Sequence, residues 1–124
     1  MDPDKDERHR PLKGGEVVLL QELLRRAVVL KTHATDVRSL RVADMDDGGM
    51  GSLRFASISP DPRYGRTLCE AWFRDADGVP VVVSLNVDQN DELFELDSWK
   101  VDFTARRSLP TSSAQIFEGP ATMD

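Results

Sequence analysis

The segments LCEAWFR at 68–74, VVVSLNVD at 81–88 and LFELDSWKVDF at 93–103 decide the fold. In the middle segment Val81, Val83, Leu85 and Val87 alternate with Val82, Ser84, Asn86 and Asp88, the two-residue period of a strand with one buried face. Asp77-Gly78 separates the first two segments, and Gln89-Asn90-Asp91 separates the second two. Asp-Gly between alternating runs is a strong hairpin signal, because the favoured two-residue turns need positive φ. The spacing therefore predicts two β-hairpins in series.

The flanking segments leave one question open. In the first, Cys69, Ala71 and Phe73 share one side, while Leu68, Glu70, Trp72 and Arg74 share the other. In the last, Phe94 and Leu96 share a parity, and Trp99, Val101 and Phe103 hold the opposite one. A β-bulge near Asp97-Ser98 would bring both sets to one face. Without it, Trp72 and Trp99 form an apolar patch on the second face, and such a patch marks an interface or a groove.

Upstream, Ser59 to Arg66 holds Pro60 and Pro62, which forbid ladder pairing and predict an irregular loop. Its Arg63, Tyr64 and Arg66 form the basic-aromatic cluster of this half, read as a counter-charge lying over acidic surface. Before it, DMDDGGMG at 44–51 leads into SLRF at 52–55, which reads as a tight acidic turn between two strands, the first within 36–44. An EF-hand loop started at Asp44 places Gly48 at position 5, Gly49 at position 6 and Phe55 at position 12, so the calcium pattern fails. The glycines precede a strand and lack the Gly-Lys-Ser/Thr ending of a phosphate-binding loop.

One amphipathic helix is expected from Gly15 or Glu16 to about Leu30. Val17, Leu20, Leu24, Ala27 and Val28 line one face, Leu19, Leu23 and Leu30 widen it, and Glu22 and Arg26 pair on the outer side. His33 follows as an exposed histidine, and His9 falls in the leader. Residues 1–14, with alternating charges, Pro3 and Pro11, read as a mobile leader. Residues 106–124, rich in Ser, Thr, Ala, Pro and Gly, read as a disordered tail in which Ile116 and Phe117 touch down. The fold expected is α+β: one domain over 15–105, with the helix packed on a curved antiparallel meander of about five strands.

The net charge of the 124 residues is −6. Its placement matters more than its size: residues 43–62 carry −3 and 80–103 carry −5, whereas 15–42 carry +2. The sheet half lacks the basic footprint that displaces counterions, so nucleic acid is not an expected partner. No apolar run approaches the roughly 20 residues of a membrane span, and the charged start lacks a signal-peptide core. Cytoplasmic residence is the default expectation. Cys69 stands alone, which leaves no intrachain disulfide and reads as a small buried strand residue.

The stretches RPL at 10–12, DGGMGSLRF at 47–55 and ELFELDSWKVDF at 92–103 resemble a family of small bacterial proteins described as a domain of unknown function, over roughly residues 10–105. The resemblance implies a single intact domain and no particular activity. It draws attention to the glycine turn and to the strand carrying Asp97 and Asp102.

Glu95 and Asp97 share strand parity, which sets their carboxylates about 7 Å apart on one face, with Trp99 continuing the row. The spacing suits acid/base work or an oxygen-ligand cation, but alternating polar residues are also what an open antiparallel strand shows. No Ser/His or Cys/His pairing suggests nucleophilic catalysis, and no cofactor or metal is expected. The reading favoured is a non-catalytic, immunity-like accessory module that docks a basic protein through Asp46, Asp47, Trp72, Glu95, Asp97, Trp99 and Asp102. The alternative is a small enzyme, or a ligand or divalent-metal binder, with a helix–sheet pocket lined by the tryptophans and carboxylates.

Overall fold

The computed structural model describes residues 9–27 and 36–122. A six-stranded sheet is formed by β1 (Arg10–Pro11), β2 (Arg41–Asp44), β3 (Leu53–Phe55), β4 (Tyr64–Arg74), β5 (Pro80–Asp88) and β6 (Leu93–Lys100), with one helix, α1 (Gly14–Arg26). All pairings are antiparallel and the spatial order is β1-β2-β3-β6-β5-β4. The two hairpins β4–β5–β6 stand as their alternation predicts. The order departs from a simple meander at one joint. β3 pairs with β6, through Leu53 opposite Leu96 and Arg54 opposite Glu95, and β4 goes to the edge. The four strands β3 to β6 thus follow a Greek key.

The loop 56–63 makes that crossing possible by gripping the β5–β6 turn. The Arg63 N–H donates to Gln89 Oε1 at 2.9 Å, and Gln89 Nε2 donates to the Asp61 carbonyl at 3.1 Å. Asn90 Nδ2 donates to Ser59 Oγ at 3.3 Å. Beneath it the buried Asp88 carboxylate accepts the N–H of Asn90 at 2.7 Å and of Glu92 at 3.1 Å.

The helix lays Leu19, Leu20 and Leu23 on the sheet's inner face, where Phe73, Val81, Val83, Leu85, Val87, Leu96, Val42, Leu53 and Phe55 complete the core. Val17 and Leu24, expected near the centre of the apolar stripe, sit at its margin. The helix ends at Arg26, with Ala27 as its cap. The continuation expected to Leu30, and His33, lie outside the described residues. At the helix start Glu16, fully buried, accepts the Lys13 N–H at 2.8 Å and both terminal nitrogens of Arg10 at 2.9 Å. Arg10 in turn holds Asp44 at 2.7 Å, fastening β1, α1 and β2 together. Residues 36–44 are a strand only in their second half: Asp36 caps a 3₁₀ turn at Val37–Ser39, and β2 follows.

Residues 106–122, expected as a tail, lie along the domain. Gly15 leaves room for Leu109, since a Cβ there would fall 2.7 Å from the Leu109 Cβ. Ile116 is buried in the core, and Phe117 exchanges backbone hydrogen bonds with Trp72 at the β4 edge, so both touch down as expected. Glu22 and Arg26 pair at 2.6 Å as their spacing predicts, but not on an outer face: Glu22 is buried, and Arg26 passes on to the Ile116 carbonyl at 2.8 Å. Composition missed this packing because backbone groups and widely spaced apolar residues carry it. In the same way Arg10–Pro11, assigned to the leader, forms the edge strand β1.

Leu20, with no exposed surface, fixes the helix to the sheet. Leu20→Ala is expected to cost about 2–5 kcal/mol, read as a lower denaturation midpoint with an unchanged slope.

Candidate functional site

The β5–β6 ladder runs without interruption from Val81 opposite Lys100 to Asn86 opposite Glu95, and its register shift lies at Phe94, before Leu93 meets Val87. The bulge weighed at Asp97-Ser98 is therefore absent. Leu96, Ser98 and Lys100 face the helix side with Val81, Val83 and Leu85, and Glu95, Asp97 and Trp99 face the other.

That second face carries three cross-strand rows. Trp72, Val82 and Trp99 form one; Glu70, Ser84 and Asp97 the next; Thr67, Asn86, Glu95 and Arg54 the third. Four of the predicted site residues, Trp72, Glu95, Asp97 and Trp99, are brought together. The tryptophans and α1 lie on opposite faces of the sheet, so the expected helix–sheet pocket is not formed between them. Surface cavities lie elsewhere, among them one of about 450 Å³ beside His9, Arg54 and Asp61 and one of about 370 Å³ beside Arg74, Pro110 and Phe117.

One run of hydrogen bonds on this face crosses from β4 through β5 to β6 and ends on Asp97. The Tyr64 hydroxyl reaches Thr67 Oγ1 at 3.0 Å, Thr67 Oγ1 donates to Asn86 Oδ1 at 2.8 Å, and Asn86 Nδ2 donates to Asp97 Oδ2 at 2.9 Å. Ser84 Oγ donates to Glu70 at 2.9 Å. Among the described residues neither Asp97 nor Glu70 enters an ion pair, whereas Glu95 is paired with Arg54. Burial, and secondarily the nearby Glu95, push the Asp97 carboxyl above its ordinary range, and the Asn86 amide offsets part of the rise.

The aromatic rings of the face are covered unequally. Arg54 lies over the Phe94 ring at 5.0 Å while it pairs with Glu95, and Arg74 lies over Trp72 at 5.2 Å. Trp99 is 46% exposed and has as its ring neighbour Phe103, 70% exposed, at 5.9 Å. Among the described residues no guanidinium covers Trp99.

Asp46, Asp47 and Asp102 are not part of this constellation. The Asp47 carboxylate is spent on its own turn, accepting the N–H of Met50 at 3.1 Å, Gly51 at 3.4 Å and Ser52 at 2.9 Å. Burial alone would raise its pKa, and those bonds lower it below the ordinary range instead. Gly51, at φ +93°, has a second reason to be glycine: a Cβ there would lie 2.1 Å from Arg106 Nη1. The glycine turn is a seat for the chain after β6. Asp46 is exposed on that turn, and Asp102 accepts the N–H of Thr104 at 3.0 Å and its hydroxyl at 2.7 Å. Among the described residues no group of three or more His, Cys, Asp and Glu is placed to hold a metal ion.

Lys100 has no exposed surface. Its ammonium lies 2.9 Å from Asp75 and 2.6 Å from Asp77 and donates to the Ala105 carbonyl at 3.2 Å. Asp75 also accepts the N–H of Arg107 at 2.8 Å and of Ser108 at 2.7 Å. Burial would lower the Lys100 pKa, but the two carboxylates raise it, and the Lys100 ammonium and the backbone donors hold Asp75 far below the carboxylate range against the effect of burial. The signal available in the sequence was the parity of Lys100 with Leu96, beside the Asp75-Ala76-Asp77-Gly78 turn.

Two pH experiments follow. Asp75 is depressed, and Glu22 is held at about 2 by Arg25 and Arg26. Their stabilisation is complete above the unfolded carboxyl value of about 4 and is lost as pH falls through the folded values. Asp75→Asn should cost about 3 kcal/mol at neutral pH and flatten the acid limb of stability against pH. Asp97 has the opposite sign: its charge costs stability above its folded pKa. Asp97→Asn should match or exceed the parent at pH 7, the gain vanishing below about pH 4. Urea midpoints across pH check both.

The family model described as Domain of unknown function (DUF6984) matches residues 9–110, and the chain belongs to that family. No curated protein and no solved structure matches it. Among the described residues no helix is long and apolar enough to cross a membrane.

Proposed function

For this member of the family we propose a non-catalytic protein-binding role, that of an immunity-like accessory module whose open sheet face receives an arginine-bearing segment of a basic protein partner. One observation carries the reading. On this face the chain supplies its own guanidinium, Arg54, to the ring of Phe94 and the carboxylate of Glu95. Trp99 and Asp97 repeat the aromatic-plus-carboxylate pair without a guanidinium, and both belong to the outer side of β6.

A partner arginine fits that gap chemically. Its planar group can lie on the half-exposed Trp99 indole, gaining on the order of 0.5–2 kcal/mol, while its N–H fork meets the Asp97 carboxylate in the charge-assisted geometry that lysine does not reproduce. Glu70, across Ser84 in the same row, adds attraction. The charge of the sheet half favours a basic protein over nucleic acid and speeds encounter more than it tightens the complex. Asp46, Asp47 and Asp102 drop out of the contact set because their carboxylates serve turns or stand apart from these rows.

The test titrates the full chain with an oligo-arginine peptide, with oligo-lysine and oligo-glutamate as controls, followed by calorimetry at low and moderate salt. Oligo-arginine is expected to bind best and to weaken with salt. Trp99→Ala is expected to cost roughly tenfold in affinity, and Asp97→Asn a similar factor with a shallower salt dependence. Equal binding of arginine and lysine peptides, or binding indifferent to Trp99→Ala, would overturn the proposal.

A further inference from the structure

Trp72 and Trp99 occupy the same cross-strand row, yet Trp72 is 7% exposed and Trp99 46%. Much of the difference is made by the end of the chain. The Phe117 ring packs against Trp72 at a centroid distance of 4.8 Å, and the Trp72 indole N–H donates to the Glu118 carbonyl at 3.3 Å. The backbones of the two residues exchange hydrogen bonds of 3.0 and 2.8 Å.

This cover is attached differently from the sheet it covers. β4 and β5 pair along nearly their whole lengths, whereas among the described residues the closing segment pairs with β4 at the single position Trp72–Phe117. Gly119, at φ +78°, and Pro120 then end the pairing. Among the described residues the inward side chain Ile116, the bond from Arg26 to the Ile116 carbonyl and, just beyond the segment, a bond of 3.3 Å from Arg74 to the Thr122 hydroxyl add to the hold. The family match ends at residue 110, ahead of all of these contacts.

From this juxtaposition we infer that residues 111–118 form an internal strap that opens independently of the sheet and controls the size of the docking face. Closed, the strap occupies the Trp72 end and leaves Trp99 as the accessible aromatic. Open, it leaves Arg74 as the remaining cover of Trp72 and joins the freed side of that ring to Val82, Trp99 and Phe103, a longer seat bordered by Glu70 and Asp97 for the same basic segment. The inference rests on the docking role proposed for that face. Opening a strap held at one ladder position costs less than global unfolding, as for other weakly attached elements at a structure's margin. A partner that binds only the open form pulls the equilibrium towards it by mass action.

Native-state hydrogen exchange on the full chain tests the opening without any partner. The amides of Trp72 and Phe117 and the Trp72 indole N–H are expected to exchange faster than those of Val83 and Leu85, with little dependence on low denaturant. Exchange at the same rate and denaturant dependence as β5 overturns the strap. Phe117→Ala tests the control: acrylamide quenching should then reach both tryptophans, and the affinity for oligo-arginine should rise several-fold. Binding by the parent chain that Phe117→Ala leaves unchanged overturns the gate and spares the docking face. Binding by neither form overturns both.

Discussion

A lysine with no exposed surface determines which way the last strand faces. Lys100 is drawn inward by Asp75 and Asp77 at the β4–β5 turn, and strand alternation then places Ser98 and Leu96 inward and Trp99, Asp97 and Glu95 outward. A buried ammonium without partners would lose its charge. Here two carboxylates and the Ala105 carbonyl receive it, and Asp75 spends its remaining capacity on the N–H groups of Arg107 and Ser108. One cluster therefore joins a hairpin turn, the end of the central ladder and the chain beyond it. Removing one partner of such a cluster is costly, although the cluster as a whole need not be a net source of stability. Its consequence is geometric. It fixes the parity of β6, and with it the composition of the open face.

The extent to which this was legible in the sequence follows from the range of each determinant. The hairpins β4–β5–β6 were readable because alternation and Asp77-Gly78 are local signals. The inward positions Ala71 and Phe73 were readable for the same reason, and so was the single helix, whereas Cys69, expected to be buried, is only half-buried beside a register shift in β4. The pairing of β3 with β6 was not, because the loop contacts that permit it join residues about thirty positions apart, such as Ser59 with Asn90 and Asp61 with Gln89. Nor was the position of the bulge. The pattern of 93–103 was compatible with a bulge near Asp97-Ser98 that gathers both apolar sets on one face, and with an unbroken ladder that leaves Trp99 on the second face. Only Asp75 and Asp77, far away in sequence, choose between them by requiring Lys100 inside.

The candidate site divides along the same line. Trp72, Glu95, Asp97 and Trp99 came from strand parity and are brought together. Asp46, Asp47 and Asp102 came from charge alone, and local geometry consumes Asp47 and Asp102: each organises a turn by accepting backbone N–H groups, a use of aspartate that competes with any binding role. The C-terminal segment shows the converse error. Its small and polar composition is that of a solvated chain, but Ser108 and Arg107 contribute through their backbone and Leu109 through the space left by Gly15. Composition does not register donors of that kind.

What distinguishes the outer face from an ordinary solvated sheet surface is the run of hydrogen bonds that ends on Asp97. Thr67 donates to Asn86, and Asn86 donates to Asp97, which leaves the Tyr64 hydroxyl as donor to Thr67, whose proton is already committed. Each donor polarises the next, and the chain ends on a carboxylate. Asn86 is buried at the centre of this run, so the side chain of Asp97 is held in place before anything binds. Binding to a fixed carboxylate avoids the cost of ordering it, which for a flexible side chain is on the order of 1 kcal/mol. Glu95 withholds full ionic comfort from Asp97 by proximity, while its own charge is already met by Arg54. A cation arriving over Trp99 would relieve that repulsion as well as form its own contact. On the proposed docking role, the carboxylate whose charge is disfavoured by burial and by Glu95 is the one from which a basic partner has most to gain.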